Sequence, residues 1–377
     1  MKILDIYAQY PIALVKGEGI ILTDDQGKKY VDFYGGHGVI SIGHSHPLFK
    51  KALTEQLDQL AFYSNAFKNP LQDELASLLG EASGYTDYNL FLSNSGAEAN
   101  ENAFKVASFI TGRKKILAVK GAFHGRSAGA IAVTDNKKIQ PPFGSEIEVD
   151  FIDITNEEKL KASLQTQQYA AFIIEGIQGV NGVREASESF WNATRLLCKH
   201  TNTLLIADEV QSGYARSGKF FAHQYHNVTA DVVTVGKGMG NGFPVAGTLI
   251  NPDLKLEKGM LGTTFGGGQL ACAAAISVLK ALKSENMQEN ALHQGEFFMS
   301  ELSKMDGVKA VRGRGLMVGI EFNVDAKAIR QNLINTYGIV TGFSGTDILR
   351  ILPPLNVDRA TVKILLDAIK ASITEVA

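Results

Sequence analysis

Residues Leu204–Gly242 read LLIADEVQSGYARSGKFFAHQYHNVTADVVTVGKGMGNG and hold two short apolar runs, each ending on a charge. Leu204-Leu205-Ile206-Ala207 runs into Asp208-Glu209, and Val232-Val233-Thr234-Val235 runs into Gly236-Lys237-Gly238. Such short runs, mostly apolar, rich in β-branched residues and bounded by polar or glycine residues, read as strands buried on both faces of a parallel sheet. Open α/β sheets hold ligands outside the carboxyl ends of such strands, so one carboxylate and one amine are expected to face the same crevice.

Asp208 and Lys237 could form a plain buried ion pair. They could also serve pyridoxal phosphate, with the lysine carrying the cofactor and the carboxylate keeping its pyridine nitrogen protonated, so that the ring acts as an electron sink. The second reading demands a phosphate cradle elsewhere. Asn89-Leu90-Phe91-Leu92 is a short apolar strand that passes through Ser93-Asn94-Ser95-Gly96-Ala97-Glu98-Ala99-Asn100 into a helical pattern reaching Phe109. Exposed amides and the macrodipole at a helix start favour an anion. Ser95-x-x-Glu98 is also a capping box, which would start the helix with no ligand at all; the two roles are compatible.

The 377 residues are 45% hydrophobic and 20% charged, with 37 basic and 39 acidic side chains giving a net charge of −2. That is an ordinary globular composition, long enough for one large domain and a smaller one. The absence of a concentrated basic excess argues against nucleic acid as a partner. No apolar run of about 18 residues would span a membrane, and the N-terminal stretch is broken by polar residues too early for a signal peptide, so a cytoplasmic protein is expected. Cys198 and Cys272 sit singly in apolar segments and read as core thiols.

Near the N-terminus, Asp24-Asp25-Gln26-Gly27 is a hairpin signal between Ile20-Ile21-Leu22 and Tyr30-Val31-Asp32-Phe33. His37, His44 and His46 follow in a glycine-rich stretch, without the acidic or cysteine companions of a metal site, and Pro47 marks a helix start. Helical patterns cover about 48–60 and 70–82. From 115 to 250, strands at 115–119, 149–152, 171–174, 204–207, 232–235 and 245–250 alternate with helices or loops, which predicts a mainly parallel sheet wrapped by helices. After helices at about 269–283 and 286–305 the pattern changes at Gly307. Strands at 308–311, 316–322 and 348–352, with helices at about 325–336 and from 358, predict a smaller α+β domain. The expected organisation is an N-terminal segment (1–47) packing with the small domain (285–377), around a large domain (48–284). Gly236-x-Gly238-x-Gly240 and Gly313-x-Gly315 open no dinucleotide-binding unit and read as turns.

Seven motifs in this order give the chain a resemblance to the class III aminotransferases of PLP fold type I, and within them to the acetylornithine aminotransferase branch. They are Gly43-His44-Ser45-His46-Pro47, Ser95 to Asn100, Phe123-His124-Gly125-Arg126, Asp208-Glu209-Val210-Gln211, Gly236-Lys237-Gly238, Thr263-Thr264-Phe265-Gly266-Gly267 and Leu349-Arg350-Ile351-Leu352-Pro353-Pro354-Leu355. The resemblance implies a Schiff-base lysine at Lys237, a pyridine-nitrogen partner at Asp208 and phosphate-holding amides at Gly96 and Ala97. It also implies Phe123 and Val210 on the two ring faces, Gln211 near the ring hydroxyl, and Thr264 reaching the phosphate of a neighbouring subunit in a homodimer. Arg126, Arg350 and Glu175 would be substrate-binding.

The implied reaction moves the δ-amino group of an N-acetyl- or N-succinylornithine to 2-oxoglutarate, in arginine biosynthesis; other ω-aminotransferases and an aminomutase are alternatives, and a non-catalytic PLP-binding protein is a further one. Three departures stand out. Leu261-Gly262 and Gly268-Gln269 flank the threonine motif where many relatives have His-Gly and Asn-Pro. The loop that many relatives write Glu-Pro-Ile-Gln-Gly-Glu is here Glu175-Gly176-Ile177-Gln178-Gly179-Val180, so the second glutamate, which in relatives shields the carboxylate-binding arginine, is replaced by Val180. Arg350 is therefore expected to find another acid or water, and Val180 to enlarge or dry one wall of the pocket.

Overall fold

The computed structural model describes residues 1–142, 144–345 and 347–376. Its centre is a seven-stranded sheet in the order Asn89–Ser93, Ala246–Ile250, Val232–Val235, Leu204–Asp208, Tyr169–Glu175, Lys115–Val119, Glu148–Ile152. Ala246–Ile250 runs antiparallel to both its neighbours, and the other pairings are parallel, so the sheet is mainly parallel as its continuous apolar runs predict.

Successive residues of these strands serve opposite faces. Leu205 and Ala207 join one core cluster, with Phe172, Ile174, Val233 and Trp191, while Leu204 and Ile206 join another, with Ala103, Phe104, Ala107 and Val232. The second cluster is closed by the helix Gly96–Thr111, whose small residues Ala99, Ala103 and Ala107 allow close approach to the sheet. Each buried Val, Leu or Ile contributes about 1.5–3 kcal/mol, enough to fix the register that aligns the strand ends.

Two smaller sheets complete the molecule. One is antiparallel: Val308–Arg314, Met317–Phe322, Ile348–Ile351 and Gly342–Ser344. The other joins Leu14–Glu18, Ile21–Asp24 and Lys29–Asp32 to Ile339–Val340, which pairs in parallel with Lys29–Asp32. The chain from Phe33 to Ser41 is bonded to the C-terminal part again, through Leu352 N to Phe33 O (2.8 Å) and Leu355 N to Ser41 O (2.7 Å). The predicted hairpin at 20–33 forms. The strand Leu14–Glu18 and the short strands Ile339–Val340 and Gly342–Ser344 are additions to the sequence reading.

His37, His44 and His46 go to three different partners. His44 Nε2 bonds Asp32 Oδ2 at 2.8 Å, His46 Nε2 bonds Glu285 Oε1 at 2.8 Å while its Nδ1 caps the helix Pro47–Gln59, and His37 Nδ1 meets the Tyr34 hydroxyl. Both cysteines are buried and free. Among the described residues, no helix is long and apolar enough to cross a membrane.

Candidate active site

Parallel registry places Glu175 opposite Asp208 and Asp208 opposite Thr234, so the ends of three adjacent strands bring Glu175, Asp208 and the Gly236-Lys237 turn side by side. Lys237 opens a short 3-10 turn, Lys237–Met239, with φ 44°. Left-handed backbone is uncommon in a residue bearing a Cβ and is concentrated at functional sites. The turn is clamped by the N-terminal segment: Ser41 Oγ donates to Gly238 O at 2.7 Å, and the Asn241 side chain accepts from Ser41 N and Ile42 N and donates to Gly43 O.

Asp208 is 4% exposed, and its carboxylate is fully engaged. Oδ2 accepts from Asn100 Nδ2 at 2.8 Å and His124 Nδ1 at 2.7 Å, and Oδ1 accepts from Val210 N at 3.0 Å. Burial alone raises its pKa, but the His124 contact and the other hydrogen bonds outweigh it and hold the carboxyl below its ordinary value, so the group is an anion. Asn100 is itself fixed, donating also to His124 O at 2.8 Å and accepting from Thr234 Oγ1 at 2.7 Å.

Burial lowers the pKa of the Lys237 amine, with Asp208 and Glu175 opposing that shift and Arg350 reinforcing it. Burial pushes the Glu175 carboxyl up to about 7, although His124 and the amides of Phe123 and Gly179 counteract the rise. Those amides meet Glu175 Oε1 and Oε2 at 3.1 and 3.2 Å.

The helix Gly96–Thr111 starts beside this cluster. Ser95 Oγ caps it by accepting from Glu98 N at 3.2 Å, whereas Glu98 reaches past the cap to Asn94 N at 2.8 Å, one residue beyond the reciprocal box that the sequence suggests. Among the described residues, no hydrogen bond engages the amides of Gly96 and Ala97, as expected for the first turn of a helix. A Cβ built on Gly236 would stand 3.4 Å from Gly96 N, which puts these amides next to the Lys237 turn. A Cβ on Gly96 would come within 2.5 Å of Val210 Cγ1, so glycine is what lets the helix start and Val210 share this corner.

Gln211 donates to His37 O at 2.9 Å, and its buried Oε1 has no partner among the described residues, nor has His124 Nε2. A fixed anion, an amine of lowered pKa, an anion-binding helix start and an unsatisfied amide oxygen suit pyridoxal phosphate. Asp208 would meet the pyridine nitrogen, Lys237 the aldehyde carbon, and Gly96 and Ala97 the phosphate.

Arg350, on the strand Ile348–Ile351, is 6% exposed. Nε donates to Phe343 O at 3.1 Å, Nη1 to Gly179 O at 3.2 Å and Nη2 to the Tyr34 hydroxyl at 3.2 Å, and burial lowers its pKa. Among the described residues its hydrogen-bond partners are two carbonyls and a phenol. Val180 is 45% exposed, and its loop is fastened through the backbone, with Ser344 Oγ bonded to both Val180 O and Gly182 N. Phe123 and Val210 are partly buried beside the cluster. Arg126 and Thr264 are exposed, Arg126 just before the helix Ala128–Ala132, and among the described residues no hydrogen bond or ion pair links either to Asp208, Lys237 or Arg350.

Sequence reasoning did not assign Asn100, His124, Thr234 or Tyr34. The first three stand inside stretches it quoted, and the signal that could have found them is a buried polar residue within an otherwise apolar strand or helix face.

The chain matches the family model described as Aminotransferase class-III over residues 5–373. It is 38% identical over 360 residues to a [LysW]-aminoadipate semialdehyde/glutamate semialdehyde transaminase of Sulfolobus acidocaldarius, covering 94% of this chain and 92% of the relative. Among solved structures, acetylornithine aminotransferase from Elizabethkingia anophelis is similar with TM-score 0.87 and 32% identity, covering 99% of this chain and 96% of that one. Ornithine aminotransferase from Toxoplasma gondii is similar with TM-score 0.91 and 29% identity, covering 99% and 92%; it shows partial occupancy of PLP at its active site.

Proposed function

The chain belongs to the class III aminotransferases and is a PLP-dependent transaminase of fold type I, and from that premise we propose that it moves the δ-amino group of an N-acylated ornithine to 2-oxoglutarate, as a step of arginine biosynthesis. The products are the semialdehyde and glutamate. The observation that carries the reading is the alignment of Asp208 and Lys237 on adjacent strand ends beside the helix start at Gly96. Acetylornithine aminotransferases among the relatives supply the substrate class. A LysW-linked semialdehyde is a second reading, favoured by relatives of equal similarity.

When bound, pyridoxal phosphate supplies an electron sink for the pair left on a carbon that loses its proton. Lys237 Nζ takes the proton from the substrate's amine-bearing carbon and delivers it to the acceptor carbon; its lowered pKa keeps the base form available. Asp208 would hold the pyridine nitrogen protonated, and its own carboxylate is kept ionised by His124, Asn100 and the Val210 amide. Phe123 and Val210 would confine the ring, and Gln211 would offer its amide to the ring hydroxyl. Arg350 takes the carboxylate next to the reacting carbon of 2-oxoglutarate, Arg126 the distal one, and Glu175 shapes the pocket between them. Planar guanidinium forks suit both tasks.

In this reading residues 48–284 form the cofactor domain, and 1–47 act with 285–377. Thr264 acts across the interface of a homodimer. Its loop lies against residues 63–72 through Asn65 Nδ2 to Gly266 O (3.0 Å) and Asn69 Nδ2 to Gly267 O (3.0 Å), and together they present Phe265, Phe67 and Tyr63 with large exposed areas. Such an apolar cluster needs a covering surface.

The deciding assay measures glutamate formation from 2-oxoglutarate with N-acetylornithine, N-succinylornithine, ornithine, 4-aminobutyrate and lysine as donors. Turnover with either acylated ornithine at least tenfold above all the others is expected. Preference for 4-aminobutyrate or free lysine would overturn the substrate assignment.

A further inference from the structure

Arg350 is held by two kinds of partner. Phe343 O and Gly179 O are main-chain acceptors, one on the neighbouring strand Gly342–Ser344 and the other in the loop stapled to that strand by Ser344. They cannot leave without breaking a sheet edge. The third partner is a side chain: Tyr34 Oη accepts from Nη2 at 3.2 Å, with the Tyr34 ring centroid 5.8 Å from the guanidinium carbon.

The Tyr34 hydroxyl is also hydrogen-bonded to His37 Nδ1. An oxygen that accepts from arginine directs its own proton to the histidine nitrogen, which must then be the unprotonated one. The two rings pack edge to face, 4.8 Å apart. Tyr34 and His37 bracket Gly35-Gly36, and φ is positive at Gly35, Gly36, His37 and Gly38, so the rings project from a tight turn rather than a regular element. The base of that turn is fixed, because Asp32 Oδ1 accepts from Tyr34 N and Gly35 N at 2.9 and 2.8 Å.

We propose that Tyr34, steadied by His37, is the specificity-determining residue that covers Nη2 of Arg350 while the amine donor is bound, and that yields this bond to the carboxylate of the incoming 2-oxoacid. This rests on the reading that Arg350 takes the carboxylate next to the reacting carbon. An N-acylated ornithine brings no carboxylate to that point, since its reacting carbon is a CH₂. A buried guanidinium then needs another acceptor, and Val180, the side chain on the adjoining loop, offers none. A phenol suits the task because it is neutral. The guanidinium is charged throughout, but a carboxylate adds an opposite charge and a bidentate fit that the phenol lacks, so the 2-oxoacid displaces Tyr34 without having to part an ion pair.

The test uses the holoenzyme and its Tyr34→Phe variant, which keeps the ring over the guanidinium and removes only the hydroxyl. Each half-reaction is followed separately by single-turnover changes in the visible absorption of the bound cofactor. The ratio of the two apparent affinities, 2-oxoglutarate over amine donor, is expected to shift towards 2-oxoglutarate by roughly tenfold or more, the size of one hydrogen bond to a charged group that no longer has to be broken. General structural damage would weaken both halves together. His37→Phe should shift the ratio in the same direction, and His37→Gln, which retains an acceptor, should preserve it. Arg350→Ala separates the two layers. If it spares the 2-oxoglutarate half, the assignment of Arg350 fails and the role of Tyr34 falls with it. If it abolishes that half while Tyr34→Phe leaves the ratio unchanged or moves it towards the amine donor, the role of Tyr34 alone is overturned.

Discussion

Removing the His124 imidazole should move the acid limit of the enzyme. Asp208 is depressed because three donors outweigh its desolvation, and His124 contributes the shortest of them at 2.7 Å. A hydrogen bond to a charged group is worth about 1.5–3 kcal/mol, and one pKa unit corresponds to about 1.4 kcal/mol, so His124→Ala should raise the Asp208 pKa by about 1–2 units. For a depressed acid, the stabilising ionised form is present at higher pH and is lost as pH falls through the folded pKa. The variant should therefore release its cofactor at a pH about 1–2 units higher than the parent, while near neutrality the carboxylate stays ionised and the cofactor stays bound. The measurement is cofactor retained after desalting across an acid pH series, read by visible absorption. His124→Asn is the control, since its amide nitrogen lies where Nδ1 does and should restore most of the shift. Equal acid midpoints in the parent and His124→Ala, within about 0.3 unit, would refute the claim that His124 holds Asp208 ionised.

Lys237→Ala should cut turnover by at least the 10²–10⁴-fold typical of a general base, with circular dichroism unchanged; a variant within tenfold of the parent would remove Lys237 from the mechanism. Glu175→Gln should flatten the pH dependence of stability. With the carboxyl pushed up from 4.5 to about 7, its contribution is complete below about pH 4.5 and is lost as pH rises through 7, a change of about 3 kcal/mol. Chemical denaturation at about pH 5 and about pH 8 should show the parent losing more stability than the variant over this interval, and parallel losses would contradict the assigned shift. Arg126→Ala should damage both half-reactions and Arg350→Ala chiefly the 2-oxoglutarate half, each by about 1.5–3 kcal/mol or more of lost charge-assisted contact. Equal damage to both halves by Arg350→Ala would contradict the division of labour between them.

The sheet was legible because each central strand is buried on both faces and writes that burial as a continuous apolar run. Leu204–Asp208 and Val232–Val235 are buried at every position, and the charge that ends each run marks the carboxyl edge of the sheet. Leu14–Glu18 carries no such mark, since four of its five residues are exposed. Ile339–Val340 and Gly342–Ser344 are too short for any period to show, and what makes them strands is the partner each finds in distant sequence. The same distinction separates the site residues. Asp208 and Lys237 announce themselves as charges after apolar runs. Asn100 and His124 act on Asp208 across 108 and 84 residues of chain, and a contact of that separation leaves no periodic trace. Tyr34 is harder still: in sequence it merely follows a predicted strand, and only the turn at Gly35-Gly36 aims it at Arg350.

These missed residues explain how four ionisable groups can share one buried corner. Two are potential cations, Lys237 and Arg350, and two are potential anions, Asp208 and Glu175, but they do not neutralise one another as two ion pairs. Hydrogen bonds commit Asp208 to its charge, while burial pushes Glu175 up to about 7, so Glu175 changes its charge near neutrality. Burial lowers both cations. The guanidinium ordinarily holds its proton far more tightly than an ammonium, so the arginine stays charged while the lysine is the cation that can lose its proton. On the proposed function, the division that results is one fixed anion for the cofactor, one fixed cation for a substrate carboxylate, and a lysine that exchanges protons. On that reading Arg350 stands idle in half of each catalytic cycle and needs a neutral cover, and the phenol of Tyr34 is the group hydrogen-bonded to it.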